Sequence, residues 1–307
     1  MFNTYICFSL FIFTSFFTNL AFAQNQSDNE AFKEKLEKNS VLFAENIDAA
    51  YSQFNPLIKE ARKRKDTSSE LLLLDRKCRY FYSKNKIDSL LVSAEQLNEK
   101  AKKNNDIYAI AMANLYSAEA YSINGLYNRA LANLEKAYHI LEDDTSGKKR
   151  IFFAKANVLS SFANVYTDKG EPQKAVAKLK EVIESYNQLE NQEEINRFQY
   201  LNYSNIAHLY SLYNLDSAKY FVMKSIALKP KNNDEDKAMT MNYYVLGKVF
   251  KASKEYPKAL ENYKKAIQVS EKIGVDLNLP EIYSSLIELY QKTGKKDSII
   301  YCENKLK

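Results

Sequence analysis

Large apolar, small and aromatic residues return along this chain in one fixed frame. Residues 243–266 read Tyr243-x2-Leu246-Gly247-x2-Phe250 and then Ala259-x3-Tyr263-x2-Ala266. Steps of three and four place each set on one face of a helix, so the frame predicts two helices joined by a turn. It recurs at 159–182 (Leu159, Ala163, Tyr166, Gly170, Ala175, Leu179, Val182) and at 114–137 (Ala118, Tyr121, Gly125, Ala130, Leu134, Ala137). Residues 203–225 (Tyr203, Ile206, Ala207, Tyr210, Ala218, Ser225), 283–299 (Tyr283, Leu286, Tyr290, Gly294, Ile299) and 74–97 (Leu74, Cys78, Phe81, Leu90, Ala94, Leu97) carry further copies. The eighth frame position falls at Cys78, Ala118, Ala163, Ala207, Gly247 and Ile287, giving spacings of 40, 45, 44, 40 and 40. One more step back reaches Lys38, where Ala50, Phe54 and Leu57 fit a second helix and the first is degenerate.

Local chemistry agrees with the frame. Small residues sit where two helices must approach closely, and aromatics fill the space beside them. Gly125, Gly170 and Gly294 share the position that ends a first helix, where a left-handed cap favours glycine. Asp88, Asp216 and Asp297 stand where a second helix starts, as carboxylates should at a positive helix end. Composition then narrows the fold. Six glycines and five prolines in 307 residues leave too few turn formers for a sandwich, a barrel or a doubly wound sheet. Three cysteines and 13% aromatics exclude disulfide-scaffold and disordered classes.

The frame resembles the tetratricopeptide repeat (TPR). Its long period resembles the extended repeats of kinesin light chain and of bacterial peptide-responsive regulators. The resemblance covers 71–307 well and 31–70 poorly. It implies an all-α, right-handed α-solenoid of helix-turn-helix repeats with a 40–45-residue period. Residues 24–70 would form N-terminal helices including a degenerate repeat, and 71–307 six TPR-like repeats.

Targeting signals come first in the chain. Residues 1–23 lack any charged side chain, Ile6–Phe17 is an apolar run of twelve, and Ala21-Phe22-Ala23 precedes a polar stretch opening at Gln24. This is the plan of a signal peptide cut after Ala23, though without basic residues near its start; an uncleaved anchor is the alternative. The expectation is an exported protein, periplasmic or secreted, with no transmembrane span after signal cleavage. Cys7 would leave with the signal, and the repeat map separates Cys78 from Cys302, so two unpaired thiols are expected. The net charge of +6 is mild, and export argues against nucleic acid as a direct partner.

No enzyme motif is present: there is no Gly-rich phosphate loop, no His-Glu-x2-His and no cysteine cluster. The two histidines, His139 and His208, fall in different repeats. No catalysis, no cofactor and no metal are expected. Lys59–Lys65 packs five cations into seven residues and reads as a solvated helix end or as a patch for an anionic surface or partner. In a TPR array the first helices line a concave groove faced by their second, fifth, ninth and twelfth positions. The resemblance therefore points to a protein or peptide ligand held by Arg79, Tyr82, Glu119, Asn164, Asn205, His208, Tyr244 and Lys248. Asn164 and Asn205 match the two asparagines of the family's carboxylate clamp, but Ser160, Met241 and Val245 stand where its cations belong. That argues against a carboxylate clamp and leaves two readings, chance placement of a common residue and an amide grip on a peptide backbone. Of 23 tyrosines, ten occupy packing positions, which leaves Tyr82 and Tyr244 as the preferred contact rings.

Chain style also resembles the exported sensor regions of Bacteroidetes regulators. That implies an alternative function, the input half of a membrane-linked two-component or helix-turn-helix regulator acting in signal transduction. The sequence stops at Lys307 inside a second helix, so self-association through the C-terminal repeat is expected on that reading.

Overall fold

The computed structural model describes residues 28–144, 149–230, 236–274 and 279–306. The signal-peptide reading of residues 1–23 lies outside them. Fifteen α-helices and one 3-10 turn account for nearly all described residues, with no strand among them. Within α8 the chain divides, between Val165 and Tyr166, into two compact units.

The N-terminal unit contains α1 (Asp28–Glu45), α2 (Ile47–Ser52), α3 (Phe54–Lys63), α4 (Thr67–Ser83), α5 (Ile87–Lys103), α6 (Ile107–Ile123), α7 (Tyr127–Glu142) and the first part of α8 (Lys149–Asp168). Helices α4, α5 and α6 are 17 residues each, and three-residue links space them 20 residues apart. The link is always the same turn: a left-handed residue follows the helix, and the next amide reaches back to the carbonyl five residues earlier. Lys86 N–H thus donates to Phe81 O at 2.9 Å, Asp106 to Ala101 at 3.0 Å and Leu126 to Tyr121 at 2.8 Å. Asn85 (φ 52°), Asn105 (φ 53°) and Gly125 (φ 72°) hold the left-handed position. The side chains of Asp66 and Asp106 accept from the amides of Ser69 and Ala109, closing the following helix starts.

From α1 to α7 consecutive helices pack on each other, and alternate helices α4 and α6 also touch. Leu74, Cys78, Leu90, Ala94, Leu97, Ala118, Ala130, Leu134 and Ala137, all frame positions, are buried. Each large side chain so placed contributes about 2 kcal/mol of hydrophobic stabilisation. The N-terminal repeat differs from expectation: its second helix is broken into α2 and α3 at Gln53. Pro56 has no N–H for the Ser52 carbonyl, and its ring would crowd that carbonyl in a continuous helix. Asn39, fully buried, braces the break by donating to Ala50 O at 3.0 Å and Gln53 Oε1 at 3.1 Å.

The C-terminal unit contains the end of α8, α9 (Pro172–Ser185), the 3-10 turn Tyr186–Gln188, α10 (Gln192–Tyr210), α11 (Leu215–Ala227), α12 (Lys237–Ala252), α13 (Tyr256–Ile273), α14 (Leu279–Thr293) and α15 (Lys296–Lys305). One continuous core runs from Ala207 through Ala218, Val222, Leu246, Tyr263, Ala266 and Leu286 to Cys302. Helices α10 and α12 are tied together by buried polar bonds. Asn242 Nδ2 donates to Ser225 Oγ at 2.9 Å, which donates to Tyr200 O at 2.9 Å, while Tyr200 Oη donates to Asp236 Oδ1 at 2.7 Å. Gly274 caps α13 with φ 67°. Cys78 and Cys302 are both free and buried. No helix among the described residues is long and apolar enough to cross a membrane.

Candidate functional site

In the N-terminal unit the expected groove positions converge on two carboxylates. Asp75 and Arg79 share one face of α4, and α6 brings Tyr108 and Tyr116 against them. Arg79 Nε lies 2.8 Å from Asp75 Oδ2 and donates to Tyr116 Oη at 3.1 Å, while Nη2 reaches Tyr108 Oη at 3.4 Å. Tyr116 Oη in turn donates to Asp75 Oδ1 at 2.8 Å. Burial pulls the Arg79 pKa down, but Asp75 and the two phenols outweigh it and hold the guanidinium well above its ordinary value. Burial, reinforced by the Asp75 charge, pushes Tyr116 well up and Tyr108 to about 12, so both phenols stay protonated donors. Glu119 on α6 accepts from Tyr82 Oη at 3.4 Å and from Ser161 Oγ of α8. Glu119 is buried, and Tyr82 half-buried.

In the C-terminal unit, α10 supplies His208 and its C-cap Ser211, and α12 supplies Tyr244, Lys248 and Lys251. Lys248 Nζ donates to Ser211 Oγ at 3.0 Å, and Ser211 Oγ donates to His208 O at 2.7 Å. The ammonium lies 5.6 Å from the Tyr244 ring centroid, and that ring is 6.1 Å from the imidazole. His208 is only 8% exposed. Burial, then the Lys248 charge, lowers its pKa to about 4. Burial also lowers the Lys248 pKa, with Lys251 adding to the effect and the Glu281 charge opposing it.

Of the eight residues expected at the groove, Arg79, Tyr82 and Glu119 meet in the N-terminal unit and His208, Tyr244 and Lys248 in the C-terminal one. Asn164 and Asn205 are half-buried and belong to different units. Glu119, His208 and Tyr244 are more enclosed than a free contact surface needs, because neighbouring first helices approach closely enough to cover them. Tyr108, Tyr116 and Ser161 complete the polar clusters and escaped the sequence reading. The four-residue spacing of Asp75 and Arg79, opposite charges on one helix face, was the available signal. The basic run 59–65 is partly internal: Arg62 pairs with buried Glu70 at 2.7 Å, and Arg64 pairs with Glu60 at 2.9 Å and covers the Phe32 ring at 5.0 Å. His139 ends α7 and lies 3.6 Å from Glu142 Oε2. No metal-holding group of His, Cys, Asp or Glu occurs among the described residues.

No family model matches this sequence, and no curated protein does. Solved structures do resemble it. A Rap protein complexed with Competence and Sporulation Factor shares 18% identity at a TM-score of 0.60, covering 93% of this chain and 76% of that one. The apo quorum sensor NprR from B. thuringiensis gives 15% identity and 0.60, covering 92% and 82%. NprR with its cognate peptide NprX gives 17% and 0.56, covering 92% and 79%. The TPR-like repeats of a P. anserina kinesin light chain give 17% and 0.50, covering 66% and 96%. The fold is a helical repeat of the TPR type. Its first helices are thus α4, α6, α8, α10, α12 and α14, and the polar clusters lie on the face they share within each unit.

Proposed function

We propose that this TPR-type protein is a non-catalytic scaffold that holds a protein or peptide segment on its first-helix faces. The observation that carries the reading is that NprR, with this fold along 79% of its chain, is solved with its cognate peptide NprX. The faces themselves support it: they present phenols, hydroxyls, amides and both signs of charge, suited to an extended backbone and a few side-chain pockets. We take the protein to be exported, on the strength of residues 1–23. A second reading, a sensor half that self-associates, is favoured by α15, where Ile300 and Tyr301 are more than half exposed.

The test is selection of ligands from a random synthetic nonapeptide pool on the immobilised chain, followed by hydrogen exchange with the selected peptides. The reading expects slowed exchange in α4, α6, α10 and α12. Slowing confined to α5, α7, α11 and α13, or no selected peptide, would overturn it.

A further inference from the structure

The N-terminal unit shows how this frame encloses a carboxylate. Asp75 and Arg79 occupy the fifth and ninth positions of their repeat. The acid receives a phenol O–H at 2.8 Å and faces the guanidinium at 2.8 Å. Glu119, at the ninth position of the next repeat, receives the hydroxyls of Tyr82 and Ser161. Cation, phenol and hydroxyl from neighbouring first helices thus surround acids that the chain itself supplies.

The C-terminal unit has donors of the same kind, with no acid in contact with Lys248 among the described residues. Tyr244 and Lys248 occupy the fifth and ninth positions of the α12 repeat, where α4 has Asp75 and Arg79. Lys251, one turn on, is answered by Glu288 at 2.6 Å. Lys248 makes no ion pair among the described residues; its partner is the Ser211 hydroxyl at 3.0 Å, which leaves two ammonium hydrogens uncommitted. Beside it the His208 ring is enclosed, and its buried Nδ1 meets no partner. A desolvated ammonium with no ion-pair partner, under only the opposing charges of Lys251 and Glu281, is costly, and an external acid would relieve that cost.

We propose that Lys248, with Ser211 and His208 beside it, receives a carboxylate of the bound peptide, which takes the part that Asp75 plays for Arg79. The acid comes from the peptide's C-terminus or from an Asp or Glu side chain. These residues are not the positions of the family's carboxylate clamp, which lack cations here. The inference rests on the peptide-binding reading above and narrows it to acidic ligands.

The test uses four random nonapeptide pools on the immobilised full chain: free or amidated C-terminus, each with or without Asp and Glu. The wild type should retain carboxylate-bearing pools at least tenfold better than the amidated, acid-free pool. Comparing the free, acid-free pool with the amidated, acidic pool identifies the source of the carboxylate. Lys248→Met should erase the preference and Lys248→Arg should keep it, with helicity of both variants checked by circular dichroism. Equal retention of all four pools by the wild type would overturn the carboxylate assignment while leaving peptide binding intact. An undiminished preference in a folded Lys248→Met variant would also overturn it. Retention of no pool would overturn both readings.

Discussion

Replacing Gly247 by alanine sets two opposed effects against each other, and the structure decides the sign. In an exposed helix interior the change is stabilising by roughly 1 kcal/mol, because glycine loses more backbone freedom on folding. Here, however, an added Cβ would stand 2.5 Å from Cδ1 and Cε1 of Tyr263 and 2.9 Å from its Cζ. Carbon atoms in contact sit at about 3.5–4.0 Å, so the ring would have to retreat by about 1 Å. It has little room to do so: Tyr263 is fully buried in a core with Val245, Ala266 and Ile282, and Tyr244 lies 6.4 Å away, centroid to centroid. Overpacking of this kind costs typically 1–3 kcal/mol, so Gly247→Ala should destabilise by about 1 kcal/mol net. Shortening the ring reverses the balance: in a Tyr263→Leu background the same alanine should stabilise, by up to about 1 kcal/mol. Urea unfolding followed by circular dichroism gives the free energies, and hydrogen exchange of α12 and α13 amides localises them, since helical repeats need not unfold in one step. Stabilisation by Gly247→Ala in the wild type, or the same sign in both backgrounds, would refute the packing argument.

Three further outcomes follow from particular contacts. Lys254 adopts φ 62° at the left-handed position after α12, so Lys254→Gly should stabilise by about 1 kcal/mol in urea unfolding. Asp75→Ala strips Arg79 of its counter-charge and the buried Tyr116 hydroxyl of its acceptor; thermal unfolding should show a loss of about 3 kcal/mol, and a loss below about 1 would mean that water replaces the carboxylate. His208 has its ordinary value of 6.5 in the unfolded chain and about 4 when folded, so stability falls as the pH drops from 6.5 towards 4. Between pH 7 and 5 that term is worth about 2 kcal/mol in the wild type and should vanish in His208→Gln, measured as the difference between their pH profiles.

Packing was the most legible part of this chain. Small residues such as Ala118, Ala163 and Gly247 can recur opposite aromatics only if two helices approach closely there, so frame and period emerge from residue size alone. The turns were half legible. Glycine announced three of them, but Asn85, Asn105, Lys65 and Lys254 hold the same left-handed conformation without announcing it. Pro56 signalled the break at Gln53, but the fit of Ala50, Phe54 and Leu57 to one helix face masked it. For the site, positions were legible and partners were not. Which side chain reaches across to the next first helix depends on the stagger between helices, and a single frame does not encode it. Arg79 and Glu119 therefore read as free groove residues although Tyr116 and Ser161 engage them.

The central claim is that ligand lies on the first helices. A photo-crosslinking residue placed at Tyr82 or Asn205 on that face, or at exposed Val92 on α5, tests it directly with a selected nonapeptide. The account predicts cross-links from Tyr82 or Asn205 and none from Val92. Cross-linking from Val92 alone would contradict it.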